Sequence, residues 1–273
     1  MLARAIALFL VAPAMLHAQE RRPSHCIAVA EAPGLEYVHR AAFGAPLPDW
    51  TVRLSFVDHA MVMIETPGGL RAVTDYTGFI GQTRAPDVVT MNRAHISHWT
   101  PDPDPAIPNV RPGWSDDVGE PADHWLEVGD MVVRSVSTDI RSGAAGGVEE
   151  NGNAIFVFEV AGLCIGHLGH LHHEPTDAQY AALGRLDVVM APVDGGLTMD
   201  LPTMIRTLGT LRAAVVIPIH WWGRGSLDRF LEGMSGDFAV ERPGGNHWEV
   251  SLDTLPRAPT IVVLEPAFLS DPE

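Results

Sequence analysis

"LCIGHLGHLHHEP", residues 163–175, sets His167, His170, His172 and His173 directly behind a short apolar run. Leu163 to Ile165 reads as a buried strand, being brief, apolar and followed by glycine. Imidazoles placed where a buried strand stops have two readings. They form a solvated polar loop, or they are donors to a metal ion, because neutral imidazole is the commonest transition-metal ligand. Their positions separate the four. Side chains alternate along an extended strand, and Gly169 permits a sharp turn before His170. His172 and His173 adjoin Glu174 and Pro175, where a solvated helix start is expected.

The arrangement recurs along the chain. His95 and His98 follow the apolar strand "DVVTMN", residues 87–92, and His220 closes "AVVIPIH", residues 214–220. Strand ends on one edge of a sheet are where sites are assembled from distant segments. A lone histidine at a strand end is more often a hydrogen-bonded structural residue. Three such groups in order favour a metal site.

The remaining pattern supplies a scaffold. "VRLSFV" (52–57) and "AMVMIET" (60–66) read as strands, and "PGG" (67–69) turns the chain into "LRAVTD" (70–75). A Pro- and Asp-rich loop, residues 100–121, is long enough to suggest a cover over a site. Residues 124–138 give two strands around a Gly-Asp turn, and residues 143–153 read as a flexible loop. "AIFVFEV" (154–160) and residues 163–169 form a hairpin. The pattern then alternates. Helices over 176–183, 201–211 and 227–233 precede strands over 187–193, 214–220 and, at the close, 248–252 and 261–264. Strands apolar on both faces call for two packed sheets with helices outside.

The 273 residues suffice for one large domain or two small ones. Thirty-four acidic against 18 basic residues give a net charge of −16, which argues against nucleic acid or an anionic membrane held by bulk electrostatics. A small-molecule substrate is the expected partner. Residues 1–18, with Arg4 ahead of an apolar run from Ala5 to Leu16, have the shape of a signal peptide cleaved after Ala18. The expected location is therefore periplasmic or secreted, with no integral membrane segment left after cleavage. The rival reading is an uncleaved anchor. Residues 19–50 read as an irregular segment and 51–273 as the folded domain. Export permits a disulfide, but Cys164 lies inside an apolar strand where a free thiol acts as a small hydrophobe, so no bridge to Cys26 is expected.

In its order of motifs the chain resembles the metallo-β-lactamase fold superfamily, in particular the lactonase-like branch of predicted Zn-dependent hydrolases. The resemblance covers roughly Val52 to His220. "VDHAMVMIETPGGLRAVTD" (57–75) looks like the branch's opening hairpin, with His59 and Asp75 at its marked positions. "RAHISH" (93–98) falls where the family carries His-x-His-x-Asp-His, "IGHLGH" (165–170) matches its strand ending in His-x-Gly-Asp, "APVDGGLTMD" (191–200) resembles its Gly-rich loop, and "VIPIHW" (216–221) matches the strand with its last His ligand. The resemblance implies a four-layer αββα sandwich of two mixed sheets with helices outside.

The departures are as informative. Arg93 stands for the family's first His, Ser97 for its Asp and His170 for its metal-bridging Asp. The middle His has no counterpart, and spacing does not tell whether Glu149 or Glu150 lies near its place. A second divalent cation beside Arg93 is repelled and lacks a bridging carboxylate. The resemblance therefore implies one metal, held by His98, His170 and His220, with His95 as fourth ligand or close neighbour. Three His plus water is an open catalytic arrangement, and four His without water a closed one. Zinc is the default, with Fe, Mn or Ni compatible with the ligand type. Asp75 either orients a ligand or satisfies a turn, and His59 and His167 are read as second-layer residues. Ser97 and Arg93 are the candidates to orient substrate or stabilise an oxyanion. Trp99, Trp221 and Trp222 either wall a pocket or belong to the core. The function implied is an exported metal-dependent hydrolase acting on an ester, lactone, amide or phosphodiester. The alternatives are a non-catalytic metal- or ligand-binding member of the same fold and, third, an iron oxidoreductase.

Overall fold

Long apolar runs need a partner on each face, and the central strands find one. The computed structural model describes residues 21–27, 46–93, 95–142 and 147–271. In chain order its elements are β1 (Val52–Asp58), β2 (Met61–Glu65), β3 (Arg71–Val73), β4 (Gly81–Gln82), β5 (Val88–Met91), β6 (Asn109–Pro112), β7 (Trp125–Val128), β8 (Met131–Ser142), β9 (Gly147–Val160) and β10 (Leu163–His167). There follow α1 (Asp177–Leu183), β11 (Val188–Pro192), α2 (Leu201–Leu211), β12 (Val215–Ile219), α3 (Arg224–Met234), β13 (Ala239–Glu241), β14 (His247–Val250), β15 (Thr260–Val262) and β16 (Leu269–Ser270). Residues 1–18, read as a signal peptide, lie outside the described residues.

One sheet has the order β14-β1-β2-β3-β5-β6 and the other β13-β15-β12-β11-β10-β9-β8-β7. Both are mixed: β3, β5 and β6 run parallel, as do β10, β11, β12 and β15. The inner faces meet in one core, where Leu54, Phe56, Val62, Ile64 and Val88 pack with Phe156, Phe158, Ile165, Met190 and Ile217. Alternate residues of the same strands serve the outer faces. Val189, Ala191 and Val216 pack under α2 and α3 through Met204, Leu208, Leu227 and Phe230. This is the two-sheet α/β sandwich that the motif order implies. Among the described residues, all three helices pack on the eight-stranded sheet. The outer face of the other sheet, with Met63, Val73 and Val89, is covered by Ile80, Ile107, Trp99, Trp114 and Leu269 instead.

Local signals fix the helices. Thr176 accepts from Gln179 N while the Gln179 side chain accepts from Thr176 N, a closed capping box that starts α1. Asp200 caps α2 by accepting from Thr203 N.

Three expectations are corrected. The loop 100–121 contains a strand, β6, and its Ile107 and Trp114 cover the outer face of the six-stranded sheet. Within 143–153, residues from Gly147 onward belong to β9; they pair with the end of β8 in a ribbon (Ile140↔Glu149, Arg141↔Val148) that follows a register shift. Cys26 and Cys164 are joined in a disulfide, with Cα atoms 5.8 Å apart. The bridge pins residues 21–27 to the outer side of β10. Buried Glu159 reinforces this anchor, accepting from Ser24 Oγ at 2.5 Å and from Arg134 Nε at 2.7 Å.

Candidate metal centre

The topology brings the strand ends together. β1, β3 and β5 share one direction, and so do β10, β11 and β12. Their C-terminal ends carry His59, Asp75, Asn92, His95 and His98, His167 to His170, Asp194 and His220. Three of these residues are held in left-handed backbone without being glycine: His59 (φ 48°), Asp75 (φ 44°) and His220 (φ 55°). Such a conformation costs on the order of 1–2 kcal/mol per residue and persists only where the surroundings enforce it. Here the His220 amide donates to the His59 carbonyl at 2.7 Å, locking two of the three together.

His95, His98, His170 and His220 form a compact set of rings. Their centroid separations run from 4.7 Å (His95–His98, His98–His170) to 5.9 Å (His95–His220). His95 Nε2 lies 3.0 Å from His170 Nε2, and His98 Nε2 lies 3.1 Å from His220 Nε2. His98, His170 and His220 are buried. His59, read as a second-layer residue, comes closer than expected. It offers a donor atom within 4.8 Å of those of His95, His98 and His220, and its ring lies 3.9 Å from His220 and 4.4 Å from Trp222.

The opposite nitrogens are held by neighbours. His98 Nδ1 lies 2.5 Å from Asp75 Oδ2, and Asp75 is fixed in turn by Asn92 Nδ2 at 2.9 Å. Ser97 Oγ is 2.7 Å from His95 Nδ1. His220 Nδ1 sits 3.1 Å from Asp194 Oδ1, off the axis of an ideal hydrogen bond. His170 Nδ1 and His59 Nε2 are buried without a hydrogen-bond partner. The His170 amide donates to Asn153 Oδ1 at 2.9 Å.

Electrostatics favours neutral rings at His59, His95, His98 and His170. Burial, then the neighbouring His220, His98 and His95, push His59 down to about 2. Burial likewise holds His98 and His170 far below the ordinary imidazole value, and lowers His95. Burial raises Asp75 to about 6 against the pull of nearby histidines and Asn92. For Asp194 burial is overcome by the close approach of His220 and by bonds from Thr198, which hold it well below the usual carboxylate range. Neutral imidazoles keep a lone pair for a cation. A tetrahedral ion bound at 2.0–2.1 Å spaces its nitrogens by about 3.3 Å. The His95–His170 and His98–His220 pairs lie within a few tenths of that, and the donors that all lie within 4.8 Å of one another are those of His59, His95, His98 and His220, so the cluster offers enough nitrogen donors for a transition-metal ion.

The other expected residues divide. His167 is fully buried, with Nε2 2.9 Å from the Ala60 carbonyl, below the cluster. Arg93 points to Glu149, with Nη1 3.4 Å from its Oε1, so the β8–β9 ribbon answers the charge of Arg93. Glu149 is thus found as the partner of Arg93. His172 accepts from the Arg141 amide at 2.8 Å and lies 2.9 Å from the Leu197 carbonyl, so both its nitrogens are engaged, and His173 is exposed. Trp99 packs against Trp114 and Trp221 against Phe56, whereas Trp222 is 67% exposed above His59. Sequence reasoning passed over Asn92, Asn153 and Asp194. Of these only Asp194 carried a signal: an Asp before Gly-Gly at a strand end is a loop-organising pattern. The described residues contain one further donor group, His25 with Cys26 and Cys164, whose sulfurs are closed in the disulfide.

The family model described as a beta-lactamase superfamily domain matches residues 53–220. No curated protein matches. Among solved structures, a predicted Zn-dependent hydrolase of the metallo-beta-lactamase superfamily from Thermotoga maritima is 25% identical, with a TM-score of 0.57 over 79% of this chain and 99% of that one. A predicted metal-dependent hydrolase from Veillonella parvula is 13% identical (TM-score 0.52; 74% and 100% covered). A metallo hydrolase from Ignicoccus hospitalis is 15% identical (TM-score 0.50; 74% and 99% covered). The last two likenesses speak for the fold.

Proposed function

This chain belongs to the beta-lactamase superfamily, and we propose that within it the protein is an exported hydrolase working with one divalent metal ion, zinc by default, held by His98, His170 and His220, with His95 close by and the fourth position left to water. The observation that carries this reading is the convergence of four imidazoles, with Nε2 contacts of 3.0 and 3.1 Å, at the C-terminal edge of two sheets. An ion bound there supplies Lewis acidity and an acidified water, the means to hydrolyse an ester, lactone, amide or phosphodiester. The chain's own residues prepare the site. Asp75 and Asn92 orient His98, Ser97 orients His95, and Asn153 holds the backbone at His170. Ser97 is thereby a positioning residue, while Arg93 is paired with Glu149 and meets an anionic substrate only by giving up that partner.

Export is supported by the apolar N-terminal run and by the Cys26–Cys164 disulfide, which persists in oxidising compartments. No described helix is long and apolar enough to cross a membrane.

One observation favours the non-catalytic alternative. His59 is a fifth imidazole near the donors, and a shell closed by histidine leaves no place for water. Hydrolysis of ester, lactone and phosphodiester panels by zinc-loaded protein tests the proposal. Metal-dependent turnover lost in His220→Ala supports it, and bound metal without turnover on any panel favours the alternative.

A further inference from the structure

Each imidazole of the cluster has a second nitrogen, and whatever grips that nitrogen decides where the ring points. Asp75 grips His98 and Ser97 approaches His95. His220 is held from a different side. β11 and β12 are parallel neighbours with Pro192 opposite Ile219, and the Val193 amide donates to the Ile219 carbonyl at 3.0 Å. The next residues along the two strands, Asp194 and His220, are therefore brought side by side.

We propose that Asp194 is a positioning residue of the metal centre, aiming His220 at the ion and supplying the second of two buried carboxylates that balance its charge. This rests on the metal reading above. The Asp194 side chain is 4% exposed and that of His220 is fully buried. The carboxylate cannot swing away. It accepts from the amides of Gly196 (3.0 Å), Leu197 (2.5 Å) and Thr198 (3.1 Å) and from Thr198 Oγ1. So anchored, Oδ1 stands 3.1 Å from His220 Nδ1, and turning Nε2 toward His98 follows from that hold.

The charge count points the same way. Four imidazoles bring a dication no negative charge, and position 170 carries His rather than an anionic ligand. An uncompensated buried dication is costly. Asp75 and Asp194, each next to a ligand ring rather than facing the ion, restore neutrality.

A purely structural role predicts something else: Asp194 would only close the 194–198 turn. Arg141 offers the control, because its Nη2 ties the same turn through the carbonyls of Gly196, Leu197 and Thr198 without touching His220. The test compares full-length wild type, Asp194→Asn and Arg141→Gln in three measurements. Zinc affinity by chelator competition should fall about 10–100-fold in Asp194→Asn and stay within about threefold in Arg141→Gln. The visible ligand-field bands of cobalt-loaded protein should shift in Asp194→Asn only. In metal-stripped wild type, nitrogen NMR should show His220 as a single Nδ1–H tautomer, which becomes mixed in Asp194→Asn. Unchanged affinity and bands in Asp194→Asn, or the same losses in Arg141→Gln, overturn the proposal. A mixed His220 tautomer in wild type overturns it as well, and that readout holds if Asp194→Asn does not fold. Failure of wild type to bind zinc, with a single Nδ1–H tautomer retained, would count against the metal reading and not against the hold of Asp194 on His220.

Discussion

Gly169 is a position beside the site where little added matter should do much harm. It has φ +60°, and an added Cβ would run into Asn92 Nδ2 and stand 2.7 Å from Asn153 Oδ1, nearer than real Cβ atoms come to other heavy atoms. Neither asparagine can yield freely. Asn92 donates to Asp75 and accepts from the Ala154 amide, and Asn153 accepts from the His170 amide. Gly169→Ala therefore combines a left-handed penalty of about 1–2 kcal/mol with overpacking of about 1–3 kcal/mol. The sum is about 2–5 kcal/mol, a fall in Tm on the order of 10 °C for a chain of this size. Urea unfolding followed by circular dichroism measures it. Gly196→Ala is the control, since its Cβ meets nothing within 4 Å, and it should change stability by less than about 0.5 kcal/mol. A Gly169→Ala loss below about 1 kcal/mol would refute the packing argument, because the two asparagines would then have room to move.

The Cys26–Cys164 bridge closes a loop of 138 residues, so the Cys26→Ala, Cys164→Ala double variant should lose about 2–5 kcal/mol in urea unfolding under non-reducing conditions. Hydrogen bonds from Arg71 hold Asp271 down at about 2. A carboxylate depressed on folding stabilises above its unfolded value near 3.9 and loses that contribution as pH falls toward 2, so Asp271→Asn should flatten the stability profile in that window of an acid titration. Among the clustered histidines of 167–173, His170→Ala should abolish or greatly weaken metal binding, while His172→Ala and His173→Ala should leave metal content near wild type in elemental analysis. Metal lost from His172→Ala and kept in His170→Ala would place the donor two residues away from where the ring contacts put it.

The sandwich was legible because burial on both faces leaves a plain mark. β5, β11 and β12 are short, fully buried and mostly apolar runs, and each is followed by the polar residues that build the site. His95, His98, His170 and His220 were legible for the same reason. Short edge strands such as β6, with Asn109, Arg111 and Pro112, have no inward face to pattern them. The start of β9 is Gly-, Glu- and Asn-rich because it pairs in an exposed ribbon, so its hydrogen bonds and not its side chains make it a strand. Cys164 reads alike as thiol or disulfide, since both are apolar and its partner lies 138 residues away. Asn92 acts through contacts made only when strands far apart in sequence align, which no local pattern announces, and the same holds for the ring contacts of His59 and the approach of Asp194 to His220.

The most direct test of the account is metal per chain, by elemental analysis of wild type and His220→Ala after exhaustive dialysis, with circular dichroism to check that both stay folded. The account predicts about one divalent ion per wild-type chain and a marked loss in His220→Ala, since that change removes a donor from a shell with few to spare. Wild type without stoichiometric metal, or a folded His220→Ala that keeps a full complement, would contradict it.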